Sequence, residues 1–490
     1  MTLTTRAVVH LIAVTALVRL ALAALLGLSV DESYSVAIAR QFSLSYFDHP
    51  PLHLWLAAAW ARLTGSEQPG VLRLPDIALF AGSTWLMYRL TASVYGERAG
   101  LWAALSLNLA PLFTLNLAGI VPDAPLVFFS LLTVWCFTRA VLAPAPASGM
   151  LGWMLGAGVA AGLALLSKYT AIFLILGLGA FLLGSRPRLL ARPTPWLAVL
   201  LAGALLTPVL LWNHAHGWVS FEFQGARALP AAFSIERAAA AFAGQLLYVL
   251  PWTGVALLYA LVRALRAGPS DSPAWLFACL ATGPIAAFSL IGLWTPVLPH
   301  WPAIGWLFAF PLLGDLIARF ELRQPRAPRR VAAATAVFLV CLVSLAATQT
   351  VTGWLDRALP SLATRDPTLD LLDWRALRPV AEEQQLRQRG IMVATISWID
   401  AGKVDYALGG TLPVLCLSRD PRHFAFLHDP RSFLGRDAFI VAEASRADWL
   451  QLAGPYFRRI EPGEDVVLRR ASRPALTLHT AYGYGFRGNR

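Results

Sequence analysis

Charge is what this chain has least of. Only 14% of its 490 residues are Asp, Glu, Lys or Arg, against roughly a quarter in a soluble globular domain. Lysine is nearly missing: Lys168 and Lys403 are the two lysines among 40 basic residues. Cysteine is scarce, and Cys136, Cys279, Cys341 and Cys416 have no spacing that suggests a disulfide or a metal site. There is no G-x-G-x-x-G, no P-loop and no internal repeat of roughly 20–50 residues. The shortage of charge argues against a soluble enzyme. The 57% apolar content, with 18 Trp and 25 Phe, excludes disorder, a collagen-like repeat and a disulfide scaffold.

What charge there is lies unevenly. It falls on 33 of the first 351 residues and on 35 of the last 139. The first part, 1–351, therefore reads as many membrane spans and the second, 352–490, as a soluble domain. Eleven apolar stretches approach or exceed the length needed to cross ~30 Å of hydrocarbon. They lie near 7–28, 73–91, 99–117, 123–142, 151–167, 169–184, 195–212, 238–262, 274–293, 300–319 and 331–351. The first has Arg6 at its basic end, as a cleaved signal peptide would, but its apolar run exceeds the usual ~7–15 residues. The stretch 52–64 is too short to span; Trp55, Trp60 and Arg62 suit a helix lying at the interface.

The net charge of +12 reads as topology and not as nucleic-acid binding, because the arginines sit in short loops. With the N-terminus inside, the cytoplasmic segments carry 14 basic residues and the outer segments six: Arg40, Arg62, Arg73, Lys168, Arg227 and Arg237. That is the positive-inside bias, and an odd number of spans puts the C-terminal domain outside. The weakest point is 151–184, where Lys168 splits two short helices. Losing a span there inverts everything downstream, which the basic run Arg319–Arg330 opposes.

The tail alternates elements: a helix near 372–389, a strand at 391–397, a helix near 398–408, then strands at 412–417, 437–442 and 464–470. That order predicts a small α/β domain.

Chemistry-bearing residues gather on the expected outer side. Five of the six histidines of the membrane part (His49, His53, His214, His216, His300) fall there, with Asp31, Glu32, Asp48, Asp123 and Glu222. Two carboxylates at a membrane face, Asp31 and Glu32, are costly unless solvated, paired or working. They also suit the N-terminus of a short helix over 32–42. In SYFDHPPLHLW (Ser45–Trp55), Pro50 and Pro51 force an extended chain that holds Asp48 and His49 in a fixed turn. Asp123, between Pro122 and Pro125 in NLAGIVPDAPL (Asn116–Leu126), reads either as a helix cap or as a site acid. Lys168 either snorkels to the interface or serves as a point charge for phosphate. WNHAHGW (Trp212–Trp218) and WTPVLPHWP (Trp294–Pro302) have tryptophans that suit an interface belt. Asp48 with His214 or His216 is a weak constellation for a divalent metal.

Taken together, DESY after the first span, YFDHPPL, PDAPL after the third and SKYT after the fifth resemble the bacterial polyprenyl-phosphate-sugar glycosyltransferases. These are relatives of the protein O-mannosyltransferases (glycosyltransferase family 39, PMT-like) and of the lipid A aminoarabinose transferase. The resemblance covers roughly residues 7–320. It implies a polytopic α-helical membrane protein of GT-C fold, with about eleven transmembrane helices and an added outer α/β domain. It implies inverting transfer of one sugar from a polyprenyl-phosphate donor to an extracytoplasmic acceptor: lipid A, a surface glycan, a lipid or a protein. The setting implied is a bacterial inner membrane with a periplasmic C-terminal domain. Asp31 takes the place of the family's candidate base, with Glu32 beside it as in the mannosyltransferases, and Asp123 as a further site acid. Lys168, Arg227 or His300 would hold the donor phosphate. Asp48 and His49 stand where aminoarabinose transferases tend to carry Glu-Lys. The histidine departs from that pattern, since a neutral imidazole cancels no charge, and this argues against aminoarabinose as the sugar. No nucleotide motif or other cofactor is required, no nucleic acid is implied, and a divalent metal stays open.

Two other classes compete. A transporter or flippase of a lipid-linked sugar would put polar residues near the bilayer midplane, where Arg19 is the single obvious charge. A scaffold whose outer domain binds an envelope partner has no use for the acid-rich first loop.

Overall fold

The structure is a computed structural model that describes residues 2–115, 119–142, 149–227, 232–359, 361, 366–446 and 448–488. It falls into two compact units. The first comprises Met1–Leu20, Leu44–His53 and Leu74–Leu339; the second comprises Ala21–Ser43, Leu54–Arg73 and Val340–Arg490. These lines differ from a division at 351/352, because two short segments from the N-terminal region are compact with the tail.

The first unit is helical. Among the described residues, six helices are long and apolar enough to cross a membrane: Leu3–Leu25, Asp123–Val141, Met150–Ser167, Ser272–Ile291, Ala303–Arg323 and Arg326–Thr352. Counting each of two bent helix pairs as one span brings the number to eight. Helix underlies all eleven apolar stretches, yet not all are straight crossings. The stretch 238–262 is two helices, Ile235–Tyr248 and a second from Pro251, bent by 102°. Pro251 lacks the N–H to continue the first helix, and Leu250 takes a positive φ of 70° at the corner. The stretch 99–117 holds the helix Glu97–Asn108 of 12 residues, about 18 Å long at ~1.5 Å per residue. Pro111 then starts a separate turn. Its last two positions, with the beginning of the Asn116–Leu126 loop, lie outside the described residues.

Burial follows the expected solvent. The helix Ala303–Arg323 is buried continuously from Ala303 to Gly314 and carries Trp306, Phe308 and Phe310 into the core. The helix Leu3–Leu25 is only 17% buried over its most apolar window, with Val14 and Leu17 exposed. An apolar helix that faces outward needs lipid around it. At the basic end of the unit, Glu321 is buried and receives hydrogen bonds from Arg98, Trp102 and Arg329.

The second unit is built on a mixed sheet. β1 is Met392–Thr395, β2 Val414–Cys416, β3 Ala438–Glu443, β4 Arg459–Pro462, β5 Val466–Arg470 and β6 Arg473–Tyr484. The order is β2-β1-β3-β6-β4, with β5 also on β6. β1 pairs in parallel with β2 and β3, while β6 runs antiparallel to β3, β4 and β5. The connecting helix Trp398–Leu408 lies where the sequence puts it, capped by Ser397 and closed by Gly409 in the left-handed region. Three corrections apply, the first being β4, which falls on no expected strand. The helix expected over 372–389 shrinks to Leu377–Glu383. The last and longest strand is β6, which its Pro474 and Gly483 disguise as a loop; its partners are all remote or around a tight turn.

Candidate active site

In the first unit, the Ser45–His53 loop is held from outside its own sequence. The helix Val219–Ala226 supplies Ser220, whose Oγ donates to the Tyr46 carbonyl at 3.1 Å, and Gln224, whose Nε2 donates to the Asp48 carbonyl at 2.7 Å. Phe223 of the same helix packs on Phe47 with ring centroids 4.7 Å apart. Asp48 is thereby buried. His53 is also buried, edge-on to His49 at 5.7 Å between rings, and its Nδ1 has no hydrogen-bond partner among the described residues.

Asp123 and Lys168 meet across this unit. Lys168 Nζ donates to both carboxylate oxygens of Asp123, at 2.9 and 3.0 Å, and both side chains are mostly buried, at 13% and 14% exposure. The capping role considered for Asp123 is not seen: its helix begins at Asp123 after Pro122, with no side-chain cap bond. Nor does Lys168 snorkel. Its extended backbone, φ −156° and ψ 138°, breaks the helix Met150–Ser167 from the turn that follows and leaves the ammonium facing Asp123. His49 and His300 stand within electrostatic reach of that pair, and Asp48 and Arg227 within reach of His49. One cluster thus contains Asp48, His49, His53, Asp123, Lys168, Arg227 and His300.

Burial decides the charge of the histidines. Desolvation pushes His53 down to about 3 and His300 down to about 4, with His49 and Lys168 respectively adding to the effect. His49 is also lowered, chiefly by burial, although Asp48 works against it. All three imidazoles are neutral at pH 7, so the positive charges of the cluster are Lys168 and Arg227. Arg227 has its guanidinium 4.2 Å above the Phe223 ring and 5.8 Å from Trp301, a geometry that suits a delocalised cation.

Asp31 and Glu32 belong to the second unit and differ in burial. The helix is Val30–Ala39, shorter than the expected 32–42, and its cap is Ser29. Glu32 completes a capping box: its Oε2 accepts from Ser29 N at 2.8 Å, and Ser29 Oγ accepts from Glu32 N at 3.3 Å. Arg73 then takes both Glu32 oxygens, each at 2.7 Å. The Glu32 carboxylate is thus engaged by both Ser29 and Arg73. Asp31, one residue earlier, is exposed in the first turn.

His214 and His216 sit among tryptophans. His216 stacks on Trp212 at 4.1 Å and bonds the Trp212 carbonyl through Nδ1 at 2.7 Å. Among the described residues no group of three or more His, Cys, Asp or Glu is disposed to hold a metal ion, so Asp48 with either histidine forms no such group. The supporting residues Ser220, Phe223 and Gln224 carry no signal in sequence, since each acts on a loop far away in the chain.

A sequence profile for dolichyl-phosphate-mannose-protein mannosyltransferases matches residues 48–212, the stretch that holds Asp48, His49, Asp123 and Lys168. The lipid A galacturonosyltransferase RgtD of Rhizobium johnstonii is 26% identical over 248 residues, covering 49% of this chain and 50% of RgtD. YycA of Bacillus subtilis, which carries a provisional mannosyltransferase name, is 31% identical over 151 residues, covering 30% of this chain and 21% of YycA. The chain thus spans half or less of the length of these curated relatives. The crystal structure of ArnT from Cupriavidus metallidurans superposes over 96% of this chain and 97% of its own, with a TM-score of 0.68 at 17% identity. The same protein bound to undecaprenyl phosphate gives 0.67 at 18%, covering 97% of each chain. At that identity the likeness is one of fold: a polytopic helical membrane protein with a small sheet domain at its C-terminus. The chain is thus similar to the dolichyl-phosphate-mannose-protein mannosyltransferases over the matched segment, and it shares its fold with ArnT.

Proposed function

We propose that the protein is an integral-membrane glycosyltransferase that moves one sugar from a polyprenyl-phosphate donor to an extracytoplasmic acceptor, with inversion. The observation that carries the reading is the buried Lys168–Asp123 pair, inside the stretch matched by the mannosyltransferase profile. Undecaprenyl phosphate bound to ArnT supports a polyprenyl-phosphate donor. The name of RgtD supports lipid A over a surface glycan, another lipid or a protein as acceptor.

The chemistry has two ends. The acceptor hydroxyl forms its bond to the sugar C1 as the C1–O bond to phosphate breaks, and Asp31 accepts the hydroxyl proton. The polyprenyl phosphate leaves with the bonding electrons, so a cation near its oxygens acts most in the transition state. Lys168 has three N–H groups, of which Asp123 takes two, and the third serves the phosphate. Asp123 orients the lysine, and Arg227 is the second cation. His49 and His300, being neutral, act as hydrogen-bond donors at most, with Asp48 supporting the loop. The reaction as written needs no cofactor or metal. The reading includes eleven crossings of a bacterial inner membrane, with residues 1–351 carrying the reaction and residues 352–490 in the periplasm.

The test is turnover of a labelled polyprenyl-phosphate sugar by purified protein, with lipid A as acceptor and a chelator in a parallel arm. Release of polyprenyl phosphate with a labelled glycolipid product is expected. Movement of intact donor across vesicles without bond cleavage would identify a flippase instead.

A further inference from the structure

Two buried cations converge on the backbone just before Asp31, both within the second unit. Arg73 donates to the Leu26 carbonyl at 2.8 Å and to the Gly27 carbonyl at 2.7 Å, besides gripping Glu32. Lys403 donates to the next carbonyl, Leu28, at 2.6 Å, and to those of Asp370 and Leu372. Three consecutive carbonyls are thus held by charge-assisted bonds, directly ahead of the Ser29–Glu32 capping box. Carbonyls past the end of a helix have no intrahelical partner, and cations there are favoured.

The fit is specific to lysine. Three acceptors around one point match the three N–H groups of an ammonium and not the planar fork of a guanidinium. In a chain with 40 basic residues, this is one of two positions that use lysine. Lys403 is 3% exposed; burial pushes its pKa down to about 8, with Glu32, Asp370 and Asp373 opposing and Arg73 assisting. The rest of the contact is as tight. A Cβ on Gly402 would lie 2.8 Å from the Tyr34 Cα, and one on Gly27 would strike the Leu371 carbonyl oxygen. Arg40, at the end of the Asp31 helix, is paired with Asp405 and with Glu67, and Tyr406 donates to the Glu67 carbonyl at 2.9 Å. The helix Val30–Ala39 is therefore seated on the helix Trp398–Leu408 of the sheet domain.

We propose that Lys403, together with Arg73, is a positioning residue for the reaction: it sets the Leu26–Leu28 corner and through it the placement of Asp31. This rests on Asp31 being the base. The C-terminal domain then has a part in catalysis without contributing a reacting group.

The experiment measures steady-state transfer from a labelled polyprenyl-phosphate sugar by purified full-length protein. Lys403→Met should lower kcat about 10- to 100-fold and leave the donor KM unchanged. Arg73→Lys, which keeps the charge and loses the fork, should do the same in kind. In the background of Asp31→Asn, Lys403→Met should add no further loss, because both act through one group. For the wild type, kcat should fall above pH 8 as Lys403 loses its proton, and Lys403→Arg should move that limb upward while remaining slower. Losses that multiply with Asp31→Asn, single variants with wild-type kcat, or an alkaline limb unmoved in Lys403→Arg would overturn the proposal. Near-normal turnover by Asp31→Asn alone removes the base and this proposal together. Should Lys403→Met fail to fold, Arg73→Lys and the pH profile decide.

Discussion

Lys168 and Asp123, 45 positions apart, form a bidentate ion pair at 2.9 and 3.0 Å. Each explains the other: a carboxylate at a helix start that caps nothing, and a lysine at a helix break that does not reach for water. The pair makes one prediction sharp. Lys168→Gln should lose ~1.5–3 kcal/mol of transition-state stabilisation, the range for a hydrogen bond to a charged group. It also leaves Asp123 without its partner, a further cost of roughly 3–5 kcal/mol in stability for a buried pair. The double variant Lys168→Gln with Asp123→Asn should recover thermal stability and stay inactive. If it recovers turnover as well, the pair is structural and the phosphate site must be sought at Arg227.

Asp31→Asn keeps size and removes basicity. Turnover should fall at least ~10²-fold, with membrane insertion unchanged. Near-normal turnover would sink the assignment.

Glu32→Gln should behave in the opposite way. Its carboxylate is 4% exposed and paired with Arg73, so loss of its charge strands a buried guanidinium at a cost of roughly 3–5 kcal/mol. A melting curve in detergent measures it. A variant with wild-type stability and abolished turnover would return Glu32 to the reaction.

The buried histidines set an acid limit. Folding holds His53 at about 3, below its unfolded value near 6.5. The unfolded chain therefore binds the extra proton, and the stability from neutral His53 is complete above pH ~6.5 and lost as pH falls toward 3. The slope is up to ~1.4 kcal/mol per pH unit for one group. Asp400 and Asp405, raised by burial to about 6, act with the opposite sign, so the measurement is the difference between wild type and His53→Gln. The difference should shrink between pH 7 and pH 5; a constant gap would mean that His53 does not titrate on unfolding.

Topology is tested by fusion. An alkaline phosphatase joined after Leu355 should be active, and one joined after Arg188 silent. The reverse would mean that the span count is off by one and the cluster faces the cytoplasm.

Composition alone determined the class. A chain with so little charge over its first 351 residues has lipid as its solvent there, and helix underlies every apolar stretch among the described residues because a helix satisfies its own backbone. The helix Trp398–Leu408 was legible because its cap, its length and its closing glycine are local. Asp31, Asp48, Asp123 and Lys168 were legible as candidates because charge beside an apolar helix needs a reason. What only the tertiary structure decided was which charges meet. Nothing in sequence says that Asp123 faces Lys168, that Glu32 is engaged by Ser29 and Arg73, or that the second lysine sits under the Leu26–Leu28 corner. Strand β6, paired mostly with distant partners, was missed for the same reason. Local patterns record the free energy of a residue with its solvent and near neighbours. An ion pair across 45 residues, or three carbonyls gathered on one ammonium from two distant segments, is a property of packing and exists only once the chain has folded.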